Sequence, residues 1–236
     1  MNRFVRGNNG TFILISNGTL GLGLTLVKKF LAMGYNVVTF GSNIYDVESV
    51  IKETSEHRKS LFIKSVDITN FNELSVFCAE AKILYGKPSV LINNTSSIDP
   101  NLRVGDLSGP EIHNSINANL VGHVSLTSIV IKSIQDTGIV INISPSVEKD
   151  ALGASLHNAS KAGMEAFTLS LYKEYGVRTF LINTQRIFTS EAQTPFLVMY
   201  KLLDAHNKEL VWSRNRSNSD AVNTIVHLCQ HNNSKL

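Results

Sequence analysis

The 236-residue chain has only two cysteines, Cys78 and Cys229, far apart in the sequence. That excludes a disulfide framework and a cysteine-built metal site, and it points to a reducing compartment with both thiols in apolar packing. No apolar run reaches the roughly 18 residues of a membrane span. The nearest approach, residues 11–27, is broken by Ser16, Asn17 and several glycines. Charge of one sign is scarce too: 22 Lys and Arg face 19 Asp and Glu, a net +3 with no dense basic block. Nucleic-acid and membrane partners therefore drop out of the reading. His113, His123 and His206 lack the spacing of metal ligands and read as ordinary side chains. The first apolar run begins at Thr11, which leaves little room for a cleavable leader after Arg3 and Arg6. A cytoplasmic protein is the expectation.

What is present is enough apolar material, 43% of residues, for one large core. Short β-branched runs at residues 11–16, 36–40, 61–66, 89–93, 139–144 and 178–183 alternate with helical patterns at 20–33, 44–55, 71–85, 110–135 and 156–175. Nearly continuous apolarity within each run suits strands covered on both faces. The alternation predicts an α/β fold, a doubly wound parallel sheet of Rossmann type with right-handed crossovers. No repeat or linker divides it, so residues 1–236 read as a single domain. Residues 1–10 form an N-terminal extension, about 189–213 a lid loop over a substrate, 213–219 a loop, and 220–230 a last helix.

The first strand runs straight into Ser16-Asn17-Gly18-Thr19-Leu20-Gly21-Leu22-Gly23 and then a helix. Glycines there let backbone approach a pyrophosphate, and the helix start offers N–H groups and partial positive charge. Val66-Asp67-Ile68-Thr69 follows the third strand, and Ile92-Asn93-Asn94-Thr95-Ser96 ends the fourth. In this order the motifs resemble those of the short-chain dehydrogenase/reductase family over nearly the whole chain. Asn17 stands where the family has glycine; Asn tolerates positive φ, so the turn is expected to survive. The resemblance implies cofactor contacts at Ser16, Asn17, Thr19, Leu20, Gly21, Leu22, Gly23, Asp67, Ile68 and Asn94. Asp67 also reads as an N-cap of the helix after it. At the end of the second strand, Gly41-Ser42-Asn43 carries neither an acid for a ribose hydroxyl nor an arginine for a 2′-phosphate. The missing acid leans slightly toward NADP(H) over NAD(H), with Ser42 where the family's phosphate-binding arginine often lies.

The same resemblance places a catalytic segment. Asn119-Leu120-Val121-Gly122 matches the family's relay asparagine, and Ser144 the serine that holds a substrate carbonyl. His157 stands where the family has its tyrosine acid, and Lys161, one helical turn on, matches the lysine that binds the nicotinamide ribose. Imidazole exchanges protons near neutral pH, but it is shorter than phenol, and acid catalysis needs hydrogen-bond reach to the substrate oxygen. Thr184-Gln185-Arg186-Ile187-Phe188-Thr189 lacks the family's Pro-Gly, while Ile187 and Thr189 keep their type beside the nicotinamide. The expectation is an NAD(P)(H)-dependent oxidoreductase acting on a small-molecule carbonyl or alcohol, with atypical or impaired catalysis. The alternative is a pseudoenzyme of the same fold, a dinucleotide sensor or interaction partner, with or without a cofactor. The glycine-rich last strand usual in the family is not recognisable, so a homodimer through the fourth and fifth helices replaces the family tetramer as the expected assembly.

Overall fold

The computed structural model describes residues 10–94, 102–134, 138–145, 152–184, 198–203, 209–215 and 218–230. In chain order the main elements are β1 (Thr11–Ile15), α1 (Gly21–Ala32), β2 (Val37–Gly41), α2 (Ile44–Glu53), β3 (Leu61–Ser65), α3 (Phe71–Tyr85), β4 (Lys87–Asn94) and α4 (Gly109–Ile116). A π-helical turn, Asn117–Val121, joins α4 to α5 (Gly122–Val130). Then come β5 (Ile139–Pro145), α6 (Ser155–Tyr175), β6 (Arg178–Thr184), β7 (Val198–Leu203), β8 (Glu209–Asn215) and α7 (Asn218–Gln230).

One eight-stranded sheet has the order β3-β2-β1-β4-β5-β6-β7-β8. The first six strands are parallel; β7 pairs antiparallel with β6, and β8 antiparallel with β7. The order reverses between β1 and β4, and in such sheets ligands settle at the carboxyl ends of the strands beside that switch point. A single α/β domain of Rossmann type results, as the alternation of runs predicts.

Successive strand side chains point to opposite faces, and apolar residues at consecutive positions therefore feed two cores. Ile13, Ile15, Ile92 and Ile141 pack with Leu26, Val27 and Phe30 of α1 and with Val222 and Ile225 of α7. Phe12, Leu14, Leu91 and Val140 face the other way, toward Leu74 and Phe77 of α3, Leu126 of α5 and Leu171 of α6. Cys229 lies in the first core and Cys78 in the second, both buried and unbonded.

Three expectations need correction. Residues 198–203 and 209–215 are strands, so about half of the span read as a lid loop (189–213) is sheet instead, and β8 also takes in Ser213 to Asn215 of the loop expected at 213–219. These two strands extend the edge where no further strand was recognisable. The helix expected over 110–135 is four segments, α4, the π turn, α5 and a 3-10 turn at Ile131–Ser133: Ser108 and Glu111 form a reciprocal capping box with Pro110 inside the first turn of α4, and the π turn then interrupts the α-helical register. Asp67 does not cap α3; Asn70 does, accepting from the backbone N–H groups of Asn72 and Glu73 at 3.1 and 3.2 Å.

Candidate active site

The turn after β1 is built by its neighbours. Asn17 adopts φ +50°, and its side-chain Nδ2 donates to the Asn94 carbonyl at 3.1 Å, while Asn94 Nδ2 returns a bond to the Asn17 carbonyl at 3.2 Å. Asparagine is among the few non-glycine residues that take this conformation routinely. The buried Ser16 hydroxyl donates to the Asn94 carbonyl (3.3 Å) and accepts from the Asn94 amide (2.8 Å), so it ties β1 to β4. At Gly23 a Cβ would collide with the Asn17 carbonyl oxygen and come within 2.7 Å of Asn94 Nδ2. Only glycine lets α1 start this close to the turn.

Thr19 is buried against the end of β2, where its hydroxyl fills the space a side chain at Gly41 would need. Leu20 precedes α1 without a side-chain cap and is 61% exposed; Gly21, at φ +54°, has open space where a Cβ would stand, and Leu22 packs partly on the first core. No acidic residue lies in the first turn of α1. The amide groups and positive end of that helix are therefore left uncompensated by any side-chain charge and suited to an anion. This cradle fits a dinucleotide pyrophosphate.

Along the same sheet edge, Ser42 is exposed and its carbonyl accepts from Ser65 Oγ at 3.1 Å. The Asp67 carboxylate accepts from the Thr69 amide (2.8 Å) and hydroxyl (2.9 Å), a local turn that fixes its orientation, and Ile68 is buried behind it. Thr95 and Ser96, and the stretch carrying Ile187 and Thr189, lie outside the described residues.

The catalytic candidates come from three elements, and the structure shows two of them, Lys161 and Asn119, in contact. Ser144, 1% exposed, ends β5 next to Pro145. His157, partly buried, sits in the first turn of α6, and its carbonyl accepts from Ser160 Oγ at 2.8 Å. Lys161 lies one turn on; it is 3% exposed and its Nζ donates to Asn119 Oδ1 at 3.1 Å. Asn119 is fully buried within the π turn. π turns place side chains off the α-helical register and recur at functional sites. Close approach of α6 to that turn is set by Gly163, where a Cβ would come within 2.8 Å of Leu120 Cδ2.

Sequence reasoning missed two parts of this region. The first is a buried polar chain beneath the site. Asn93 of β4 and Asn142 of β5 are register partners, and Asn93 Nδ2 donates to Asn142 Oδ1 (2.8 Å) and to Thr127 Oγ1 (3.0 Å). Asn142 Nδ2 donates to Thr168 Oγ1 at 2.7 Å, which links α5 to α6 through the sheet. The signal was available: Asn142 interrupts one apolar run, and Asn93 closes another. The second is His123, fully buried one turn after Asn119. Burial above all, then the Lys161 cation, push its pKa down to about 3, against the opposing pull of the Asn94 carbonyl. No spacing marked it. Among the described residues no cluster of His, Cys, Asp and Glu could hold a metal, and no helix is long and apolar enough to cross a membrane.

A glycine-rich turn at the switch point, with a buried lysine–asparagine pair between α6 and the π turn, defines a dinucleotide-fold oxidoreductase class. The family model for short chain dehydrogenase matches residues 11–199. The chain belongs to that family. It is 28% identical over 182 residues, 75% of its own length and 68% of the relative's, to the short chain dehydrogenase/reductase dpchG of Colletotrichum higginsianum. Carbonyl reductase family member 4 of Xenopus laevis is 26% identical over 172 residues, covering 72% of this chain and 71% of that one. A metagenomic short-chain oxidoreductase solved in complex with NADP superposes with a TM-score of 0.74 at 16% identity, over 94% of this chain and 91% of that one. At that identity the likeness is one of fold.

Proposed function

We propose that the protein is a nicotinamide-dinucleotide-dependent oxidoreductase that interconverts a small-molecule carbonyl and its alcohol, with His157 replacing the family's tyrosine in proton transfer. The observation that carries this reading is the Lys161 Nζ–Asn119 Oδ1 hydrogen bond, 3.1 Å long and buried. Burying an ammonium costs several kcal/mol unless it is held by partners. A fold keeps such a group when it has chemistry to do.

The residues divide the work by position. Gly21, Leu22 and Gly23, with the first amides of α1, would hold the pyrophosphate; Asp67 and Ile68 would meet the adenine side, and Asn94 and Lys161 the nicotinamide ribose. Ser42 is the group nearest in position to a 2′-phosphate, and the absence of an acid there supports NADP(H) over NAD(H). The bound dinucleotide supplies or accepts the hydride. Ser144 Oγ donates a hydrogen bond to the substrate carbonyl oxygen, which polarises it and fixes its distance from the imidazole. His157 delivers a proton to that oxygen in reduction and removes it in oxidation. Lys161, oriented by Asn119, keeps a positive charge beside the developing alkoxide, where charge stabilisation contributes most to rate. The carbonyl reductase relative supports the substrate class. A homodimer through the helical run of α4 and α5 together with α6 belongs to the same reading, supported by the exposed apolar side chains Ile112 and Val121.

His157 also supports a second reading, a pseudoenzyme that binds a dinucleotide as a sensor or scaffold. Turnover separates the two. Oxidation of NADPH or NADH is followed across a panel of aldehydes and ketones for the wild type, Lys161→Ala and His157→Tyr. The enzyme reading expects wild-type turnover that Lys161→Ala abolishes. Turnover only in His157→Tyr establishes the pseudoenzyme.

A further inference from the structure

The mechanism gives His123 no role. It lies on α5, one helical turn after Asn119, with no exposed surface, and neither ring nitrogen has a hydrogen-bond partner among the described residues. A buried polar group left so is costly, and it calls for an explanation. Hydrogen bonds place its neighbours: His123 lies one turn before Thr127, which donates to the His123 carbonyl and accepts from Asn93 Nδ2 beside Asn94 on β4, and one turn after Asn119, whose Oδ1 holds the Lys161 ammonium of α6. The Asn94 carbonyl is already the anchor of the dinucleotide turn, because it accepts from Ser16 Oγ and Asn17 Nδ2.

We propose that His123 is a positioning residue of the dinucleotide site: its neutral imidazole, set between the Asn94 carbonyl and the Lys161 ammonium, couples the turn that binds pyrophosphate to the lysine that binds the ribose. The inference rests on the dinucleotide-binding part of the proposed function. A neutral imidazole has one N–H and one lone pair. The carbonyl can use only the first and the ammonium only the second, so the two neighbours select one tautomer and one ring orientation. A protonated ring would lose its lone pair and repel Lys161. Full burial keeps the ring neutral and so protects the arrangement. Hydrogen bonds in such sites are often long until a ligand is bound and then tighten. Occupation of the turn would draw the Asn94 carbonyl onto the ring, and the ring onto Lys161.

The test joins binding to a spectroscopic signature. NADPH and NADH are titrated into the wild type, His123→Leu, His123→Asn and His123→Gln, and the imidazole nitrogen resonances of His123 are followed in the wild type. The proposal expects His123→Leu to weaken binding about tenfold, with partial recovery in whichever amide variant places its nitrogen at the carbonyl. It also expects the His123 resonances to shift when dinucleotide is added. Equal affinity in all four proteins with unmoved resonances overturns it, and leaves His123 as core filling. Lys161→Met provides a readout that needs no ligand: loss of the ammonium must move the His123 resonances in the folded protein, and unmoved resonances again overturn the proposal. If the wild type binds neither dinucleotide, the proposed function falls, and the Lys161→Met signature alone decides whether His123 and Lys161 are coupled.

Discussion

Acid should destabilise this protein through His123, and the size of the effect can be worked out. In the unfolded chain a histidine titrates near the ordinary value of about 6.5. In the fold, burial first and the Lys161 cation second lower His123 to about 3. The unfolded state therefore binds one more proton than the native state throughout the interval between these values. Stability rises with pH wherever the unfolded state holds the extra proton. The contribution is present in full above the unfolded value, and it is lost progressively as the pH falls toward the folded one. Each pH unit inside the window costs about 1.4 kcal/mol, so acidification from pH 7 to 5 costs about 2 kcal/mol. For a chain of this length that corresponds to roughly 4–8 °C in Tm. Thermal unfolding is followed by circular dichroism at both pH values for the wild type and His123→Leu, which removes the titrating group while roughly keeping its volume. Other histidines and carboxylates titrate equally in both proteins. The wild type should lose roughly 4–8 °C more than the variant over the two pH units. Equal losses would refute the buried neutral imidazole.

Other outcomes follow from packing and hydrogen bonding. Asn142→Ala removes two buried hydrogen bonds, to Asn93 and Thr168; it should cost about 2–4 kcal/mol in urea unfolding, and a cost below about 1 kcal/mol would mean the chain beneath the site does not bear on stability. Gly23→Ala drives a methyl into the Asn17 carbonyl and should cost about 1–3 kcal/mol while lowering dinucleotide affinity; an unchanged affinity would contradict the close approach of α1 to the turn. Burial pushes the thiols of both Cys78 and Cys229 up to about 12, so a thiol reagent at pH 8 should label the native protein only as fast as it opens, and rapid labelling of either would contradict the two cores.

The six parallel strands were legible because each is an apolar, β-branched run. A strand covered on both faces has no polar alternation to blur it, as Phe12, Ile13, Leu14 and Ile15 show by feeding the two cores in turn. The strands β7 and β8 were not legible. Val198 to Leu203 carries Lys201, and Glu209 to Asn215 mixes Glu, Ser, Arg and Asn with its apolar residues. Antiparallel strands at a sheet edge need no continuous apolar signal, so the stretch read as loop. The π turn escaped notice for another reason. Its residues Asn117, Ala118, Asn119, Leu120 and Val121 have no composition that distinguishes one extra residue per turn from an ordinary helix.

In the site, the positions of Asn17, Lys161 and Asn119 could be proposed from the order and spacing of motifs that resemble the family's. His123 could not. Its only sequence mark is its place four residues after Asn119, and the neighbours that fix its charge come from β4 and α6. Long-range burial of this kind leaves no local pattern. The same holds for Asn70: Asp67, with its Asx turn, offered an equally good cap until the observed start of α3 chose between them.

The dinucleotide site is the central claim, and calorimetric titration of the purified wild-type protein with NADPH and with NADH addresses it directly. The account predicts saturable binding of one dinucleotide per chain, with NADPH the tighter of the two and affinity reduced in Gly23→Ala and Lys161→Met. Absence of binding by either dinucleotide to a protein that is folded by circular dichroism would contradict it.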